Sequence, residues 1–400
     1  MVARRKRILF VSESITLAQI VRLAVLAGAL DPYRYDLHFA ATQFPSCVSL
    51  PFSRWPLWGL SAEHAQARLA AGKRIYSFGV LRRYVASDSK VIDAVKPDLI
   101  VGDLRWSLAV SATSRQIPVA GLINAYWSRF AQREGFPLPD HPVVRWLGER
   151  LSTCYFPKAL PWVFRHFAAP LNRLRAEAGL SPVGDLLDVL NFGDFLLHPD
   201  PLELVPMRAL PGTHRFLGAV PWSAPGQPPE DWGKQTGRIP IYVTMGSSGA
   251  SHALLRLLAA LRTLPVDILL STAGRACLAT DPLSPAVRRL SFVDGDAACA
   301  RARLVIHNGG ASTGYQALAA GTPVLGLPSN LDQCLASERI DAQGAGLSLR
   351  AGSLTTERVQ HAVHRLLEEV SFATQAKRLQ RIFRTNDAAE EFRRFVAQAA

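Results

Sequence analysis

Residues 303–314 read Arg-Leu-Val-Ile-His-Asn-Gly-Gly-Ala-Ser-Thr-Gly, and their types are those of an anion cradle. Leu304-Val305-Ile306 is a short apolar run of strand type, with His307 at its carboxyl end. Gly309 and Gly310 let a ligand come close to the backbone. Ser312 and Thr313 then open a helix that Gly321-Thr322-Pro323 stops. A strand, a glycine turn and a helix start leave free N–H groups and the positive end of the helix dipole pointing into the loop. That arrangement suits a phosphate. Further on, Asp332-Gln333 opens another helix after the run Val324–Leu327, and their polar side chains suit hydroxyl groups.

These residues need a scaffold that brings several strand ends to one edge. Ile8–Val11, a helix over 17–30 and Tyr35–Ala40 form a strand–helix–strand opening, for which a right-handed crossover gives a parallel sheet. Pro97–Asp103 and Pro118–Ile123 read as further strands, with Asn124-Ala125-Tyr126-Trp127-Ser128 at the carboxyl end where open α/β sheets bind ligands. The second half restarts the plan with Ile239–Thr244, the loop Met245-Gly-Ser-Ser-Gly249, a helix over 252–264 and strands at 266–270 and 290–293. Asp332–Gln343, 357–369 and 372–399 read as the remaining helices. Between the halves, residues 221–238 are rich in Pro and Gly and read as a linker. The expected division is therefore 1–220, linker 221–238 and 239–400, which agrees with a 400-residue chain holding two cores.

Composition narrows the function classes. The chain carries a net charge of +13, with 26 Lys/Arg against 17 Asp/Glu in residues 1–220. A basic front half favours an anionic ligand or a peripheral membrane contact. There is no basic recognition helix, zinc-finger spacing or aromatic-interleaved RNA motif, so no nucleic-acid partner is expected. The five cysteines are scattered without a Cys-x-x-Cys pair, which fits a reduced, cytoplasmic setting. No run of about 18 apolar residues is present to span a membrane. Asp332 and Glu338 lack a third ligand at sensible spacing, so no metal and no cofactor is expected. Residues 126–180 hold many aromatics and arginines, with helices broken at Pro137, Pro139, Pro142, Pro157 and Pro161. Such a segment fits an apolar acceptor pocket, a membrane face or an ordinary helical excursion.

The ordered set Phe292-Val293, His307-x-Gly-Gly-x-Ser-Thr, Ala317-Leu-Ala-Ala-Gly-Thr-Pro, Pro328-x-x-x-Asp332-Gln333 and Gly344-x-Gly346 resembles the donor-binding signature of UDP-glycosyltransferase-type enzymes. Tyr242-Val-Thr-Met-Gly-Ser247 resembles that family's opening strand of the C-terminal domain. The resemblance implies a GT-B fold, an α/β architecture of two Rossmann-like domains whose parallel sheets face across a cleft. The last helix would pack back on the N-terminal domain. It implies that Val293 meets the nucleotide base and His307 the α-phosphate. Gly246, Ser247, Gly309, Gly310, Ser312 and Thr313 would hold the β-phosphate, and Asp332 and Gln333 the sugar hydroxyls.

The N-terminal half departs from the family pattern. The family's general base is a histidine after the first strand, held by an aspartate of a later strand. Asp103 fits the aspartate, but Ser12–Gln19 contains no histidine, and Thr16 or Gln19 occupies its place. Three readings stay open: a carboxylate base, Asp103 or Glu13; an acceptor acidic enough to need little help; or a protein that binds donor without catalysis. Tyr315 stands where many relatives have a ribose-binding glutamate, so UDP and dTDP donors are both open. The expected activity is inverting, single-displacement transfer of a sugar from a nucleotide-sugar to a hydroxyl of an apolar acceptor, a lipid or small aglycone. The alternatives are a donor-binding helper of a partner glycosyltransferase and a UDP-sugar 2-epimerase.

Overall fold

The computed structural model describes residues 4–275 and 287–399. Two units divide the chain. One holds Met1–Glu134, Thr153–Val220 and Asp387–Ala400; the other holds Gly135–Ser152 and Pro221–Asn386.

The first unit is built on a seven-stranded sheet: β1 (Lys6–Ser12), β2 (Tyr35–Ala41), β3 (Ser53–Pro56), β4 (Leu99–Asp103), β5 (Val119–Leu122), β6 (Phe195–His198) and β7 (His214–Phe216). The spatial order is β3-β2-β1-β4-β5-β6-β7, and every neighbouring pair is parallel. All five residues of β4 are buried, as a strand covered by helices on both faces requires. β3 is an edge strand of this order. It is short, mostly exposed and ends in Pro56, which suits an edge and not a centre.

The second unit has six strands: β8 (Ile239–Thr244), β9 (Val266–Ser271), β10 (Val287–Leu290), β11 (Leu304–His307), β12 (Val324–Gly326) and β13 (Gly346–Ser348). Their order is β10-β9-β8-β11-β12-β13, again all parallel. β10 ends where the sequence pattern places the start of a strand, so Val293 lies in the following loop. In both sheets the direction of winding reverses between the first and fourth strands, which opens a crevice at their carboxyl ends.

Three boundary expectations change. The stretch 221–238 is not a free tether. Trp232 is fully buried and donates from Nε1 to the Asp267 carbonyl at 3.0 Å, and the Gly233 N–H donates to Asp267 Oδ2 at 2.8 Å. An indole that finds both burial and a hydrogen-bond partner anchors its segment. Residues 135–152 belong with the second unit; the Asp140 N–H donates to the Ser329 carbonyl there. The expected single helix 372–399 is two, Val370–Thr385 and Ala388–Ala399, and the latter buries Phe392 and Phe395 against Phe10 and Phe195 of the first unit.

Pro157 and Pro161 do not break their helix, which runs unbroken over Glu149–Glu177 with Pro170 also inside it. Each proline removes one intrahelical bond, and side chains take up some of the freed carbonyls. The carbonyl of His166, four residues before Pro170, accepts from Arg74 Nη1. Cys277 lies outside the described residues, and Cys47, Cys154, Cys299 and Cys334 are free thiols.

Candidate active site

The second sheet's crevice is made by β8 and β11, whose register sets Thr244 beside His307. This pairing joins two loops that are about sixty residues apart in sequence. After β8 the chain turns through Gly246, at φ +55, and Gly249 into the helix Ser251–Leu261. After β11 it turns through Gly309, at φ +82, and Gly310 into the helix Ala311–Ala320. Glycine is needed at Gly309 on two counts. Its φ lies in the left-handed region, and a Cβ there would come within 2.7 Å of Ser337 Oγ. At Gly249 a Cβ would meet the Met245 carbonyl oxygen.

Both helices begin without a side-chain cap; Ala250 and Gly310 are their N-cap residues. Of the unit's other helices, Val370–Thr385 also begins without a side-chain cap, whereas several are closed internally. Asp294 caps the helix Gly295–Arg301, Asn330 caps Leu331–Ala342 and Thr355 caps Thr356–Glu368. Of the unit's uncapped ends, two fall on the helices that rise from the crevice strands. Their first-turn N–H groups have no partner within the helix and supply donors with the positive dipole end behind them.

His307 adds a directed donor. It is buried, and its Nδ1 accepts from the Gly309 N–H at 3.2 Å, which puts the ring proton on Nε2. Nε2 is buried and has no partner among the described residues. Burial pushes the ring pKa down to about 4, so the imidazole is neutral at pH 7. A buried N–H left unmatched is uncommon and calls for an acceptor. Gly314 lies against this ring; a Cβ there would sit 3.3 Å from Cε1 and 2.7 Å from the Ile340 side chain.

Asn308, which the sequence pattern leaves as an unassigned position, ties the two loops together. Its Nδ2 donates to Ser248 Oγ at 3.2 Å and its Oδ1 accepts from the Gly310 N–H at 3.2 Å. Ser312 is exposed, and Thr313, Gly246 and Ser247 are half-buried at the same edge. Asp332 is exposed in the first turn of the helix after β12. Gln333 is buried. Its Oε1 accepts from both the N–H and the hydroxyl of Ser329 at 2.9 Å, and its Nε2 lies 3.5 Å from Ser248 Oγ. Gln333 thus organises the loop and turns only its NH2 group toward the β8 loop. Val293 is buried in the loop before the helix Gly295–Arg301, where the Asp294 N–H donates to the Gly226 carbonyl. Tyr315 is buried against Phe383, ring centroids 5.5 Å apart, so the position of the family glutamate serves packing.

The first unit's crevice is arranged differently, and it gives each residue read as a base a partner within the protein. β1 and β4 set Ser12 beside Asp103. Asp103 is fully buried and accepts both Arg22 Nε and Arg22 Nη2, at 3.1 and 2.9 Å. Arg22 Nη1 continues to Asn124 Oδ1, and Asn124 Nδ2 to Asp200 Oδ1, both at 2.8 Å. Glu13 is enclosed: Tyr84 donates to Oε1 at 2.7 Å and Arg105 Nη1 to Oε2 at 3.2 Å. Arg105 also pairs with Asp88. Burial pushes the Glu13 carboxyl up to about 7, outweighing the Arg105 charge. Gln19 Oε1 accepts from the Thr16 N–H at 3.0 Å and so completes the start of its helix. All three proposed base-side residues are taken up by the protein's own groups. The partners of the carboxylates, Arg22 and Arg105, were not singled out from sequence, because an arginine 81 or 92 residues away carries no local signal.

Residues 255–392 match the erythromycin biosynthesis protein CIII-like, C-terminal domain family. Over 386 residues the chain is 44% identical to the PGL/p-HBAD biosynthesis glycosyltransferase of Mycobacterium tuberculosis strain H37Ra, covering 96% of this chain and 90% of that one. The chain belongs to this glycosyltransferase family. The glycosyltransferase is also 42% identical over 381 residues to the PGL/p-HBAD biosynthesis rhamnosyltransferase of Mycobacterium bovis strain BCG, covering 94% and 84%. Its fold matches that of the spinosyn rhamnosyltransferase SpnG complexed with thymidine diphosphate, at TM-score 0.67 and 19% identity over 98% of this chain and 100% of that one. The glycosyltransferase therefore has the GT-B architecture expected from its donor motif. Among its described residues no helix is long and apolar enough to cross a membrane.

Proposed function

We propose that this glycosyltransferase moves a sugar from a UDP- or dTDP-linked donor to a hydroxyl of an apolar acceptor, inverting the anomeric centre in one displacement. The observation that carries the reading is the second crevice, where two uncapped helix ends and the unpartnered His307 Nε2–H converge on one edge. Departure of a nucleoside diphosphate develops negative charge on the β-phosphate. Donors already fixed around it stabilise that charge without reorganisation, so the reaction needs no metal. His307 meets the α-phosphate, the loops of Gly246-Ser247 and Gly309–Thr313 the β-phosphate, Val293 the base, and Asp332 with the Gln333 NH2 the sugar. The solved relative named with thymidine diphosphate supports a dTDP donor, and the relatives named for PGL/p-HBAD biosynthesis support an acceptor of that kind.

The paired carboxylates of the first unit favour an acceptor hydroxyl that is acidic enough to react with little base assistance. They equally give a specific ground for the second reading, a donor-binding helper without turnover. The basic first half adds a peripheral contact with a membrane surface, where such an acceptor would reside.

The deciding experiment follows nucleoside diphosphate release from UDP- and dTDP-sugars with extracted lipids, beside a His307→Ala control. Acceptor-dependent release supports transfer. Sugar conversion without acceptor would mean epimerisation, and tight nucleotide binding with no turnover over a broad acceptor set would mean the helper.

A further inference from the structure

The helix Glu149–Glu177 presents two different faces along its stretch in the first unit. Leu160, Phe164, Ala168, Leu171 and Leu174 are buried and form the apolar stripe that packs inward. On the other side Tyr155 and Trp162, seven residues apart and so on one face, are 58% and 64% exposed. Phe156, Val163 and Phe167 are half-buried beside them. An exposed tryptophan and tyrosine on one face of a helix that already has its core contact leave a second apolar surface unexplained.

The charges around that surface are of one sign. From Thr153 to Ala176 the chain has no Asp or Glu, against Lys158, Arg165, Arg173 and Arg175. Arg175 is buried and the exposed Arg173 pairs with Glu177, which leaves Lys158, between the rings, and Arg165, just past Trp162. Lys158 lies 5.9 Å from the Tyr155 ring centroid, and His166 stacks on Trp162 at 5.2 Å. The loop between the helices Ala62–Ala70 and Phe78–Val95 adds Arg74, which donates to the His166 carbonyl, and the exposed Lys73.

Amphipathic rings between flexible cations, with no carboxylate among them, are what the headgroup region of an anionic bilayer accommodates. The rings enter the interface while Lys and Arg reach the lipid phosphates. A protein partner is served less well, because Tyr155 and Trp162 are the two exposed large apolar side chains of this stretch, a small area beside that of a stable interface. We propose that the face formed by Tyr155, Lys158, Trp162 and Arg165 docks the protein on an anionic lipid bilayer. This names the surface behind the peripheral contact proposed above and rests on that reading for its purpose.

The test uses the full-length protein and sedimentable vesicles of phosphatidylcholine, with or without phosphatidylglycerol, and no nucleotide-sugar or acceptor. The wild type is expected to sediment with the anionic vesicles, weakly with the neutral ones, and less as salt rises. The double substitutions Tyr155→Glu with Trp162→Glu, and Lys158→Glu with Arg165→Glu, should each lower partitioning at least about tenfold. Both pairs are exposed, so the urea midpoint should stay at the wild-type value, which separates lost docking from lost folding. Wild-type protein that stays in solution with anionic vesicles at low salt, or variants that bind as well as wild type, would overturn the proposal. So would variants that bind vesicles normally but lose capture of dispersed acceptor, since the face would then serve the acceptor itself. Binding is read without chemistry. A failure of sugar transfer therefore leaves this result standing, and a failure to bind vesicles leaves the transferase reading standing.

Discussion

The two crevices share a topology and differ in what fills them. Each lies between the first and fourth strands of a parallel sheet, at the point where the winding reverses. Two residues past the first strand, the second unit has Gly246 at φ +55 and the first unit has Ser14 at φ +65. Just beyond the fourth strand stand Gly309 at φ +82 and Leu104 at φ +54. The backbone takes the same left-handed turn in both units, at a steric expense for Ser14 and Leu104 that glycine does not incur. In the second unit the space without side chains is where we propose that the donor sits, with helix-start N–H groups beside it. In the first unit the strand ends are closed by Arg22–Asp103–Asn124–Asp200 and by Glu13–Arg105–Asp88. One scaffold therefore yields a glycine-lined end with free N–H donors, where we propose the anion site, and an internally neutralised end. The difference lies in whether charged side chains or glycines follow the strands.

The contrast can be broken most severely at Arg105. Arg105→Leu leaves Asp88 and Glu13 buried without their cation, and urea unfolding should show a loss of about 3–5 kcal/mol. Asp88 and Glu13 replaced together with Arg105 by apolar residues should recover much of it, because a buried pair is worth little beyond mutual compensation.

At the open crevice, His307→Ala should lower acceptor-dependent transfer by roughly 10²–10³, the usual loss for one fixed donor to a developing anion. Stability should change far less, since Nε2 has no partner among the described residues. An equal loss of both would mean that His307 is a packing residue.

Glu13 sharpens the comparison through pH. Its carboxyl is pushed above the ordinary value, to about 7, so the folded protein holds a proton that the unfolded chain has already released. Stability from this group is present below the unfolded pKa and is lost as pH rises from about 4.5 to about 7. Glu13→Gln should flatten that part of the stability–pH curve by on the order of 1–3 kcal/mol, measured by urea midpoints across the range. A curve unchanged by the substitution would show that Arg105 keeps Glu13 ionised. Asp103→Asn tests the base at the same end. With Arg22 holding the carboxylate, transfer per folded molecule should fall less than about tenfold, below the 10²–10⁴ expected of a general base.

The smallest effects concern capping. Asn330→Ala should cost about 1 kcal/mol, as for other N-cap losses, whether or not nucleotide is bound. The helix Ala311–Ala320 has no such cap to lose. Its first-turn amides should instead gain hydrogen-exchange protection when thymidine diphosphate is added, and those of Leu331–Gln333 should not. Protection of both or neither would remove the distinction between open and capped helix ends.

Much of the fold was readable because its signals are local. The apolar runs at Ile8–Val11, Leu99–Asp103 and Leu304–His307 are buried parallel strands, and the glycine turn after His307 opens a helix as its spacing predicts. The residues of the proposed donor site lie within a few residues of strand ends and helix starts, so their placement on those elements was legible for the same reason. Asn308 could have been found as the polar residue between His307 and Gly309, whose short side chain can reach only neighbouring loops. Pro157 and Pro161 misled, since a proline weakens a helix locally while packing over many turns keeps it whole.

The sequence by itself determined which strands exist, where the chain turns left-handed on glycine, and that a helix N-terminus follows His307. These depend on the conformational preferences of single residues and on periods of two to four positions. Only the tertiary structure decided that Thr244 lies beside His307, that Arg22 and Arg105 neutralise Asp103 and Glu13, that residues 135–152 join the second unit, and that the last helix returns to the first. Burying a carboxylate makes a partner obligatory, but the energy is the same wherever in the chain that partner comes from. The carboxylates were therefore visible as candidates for chemistry, and their neutralisation was not.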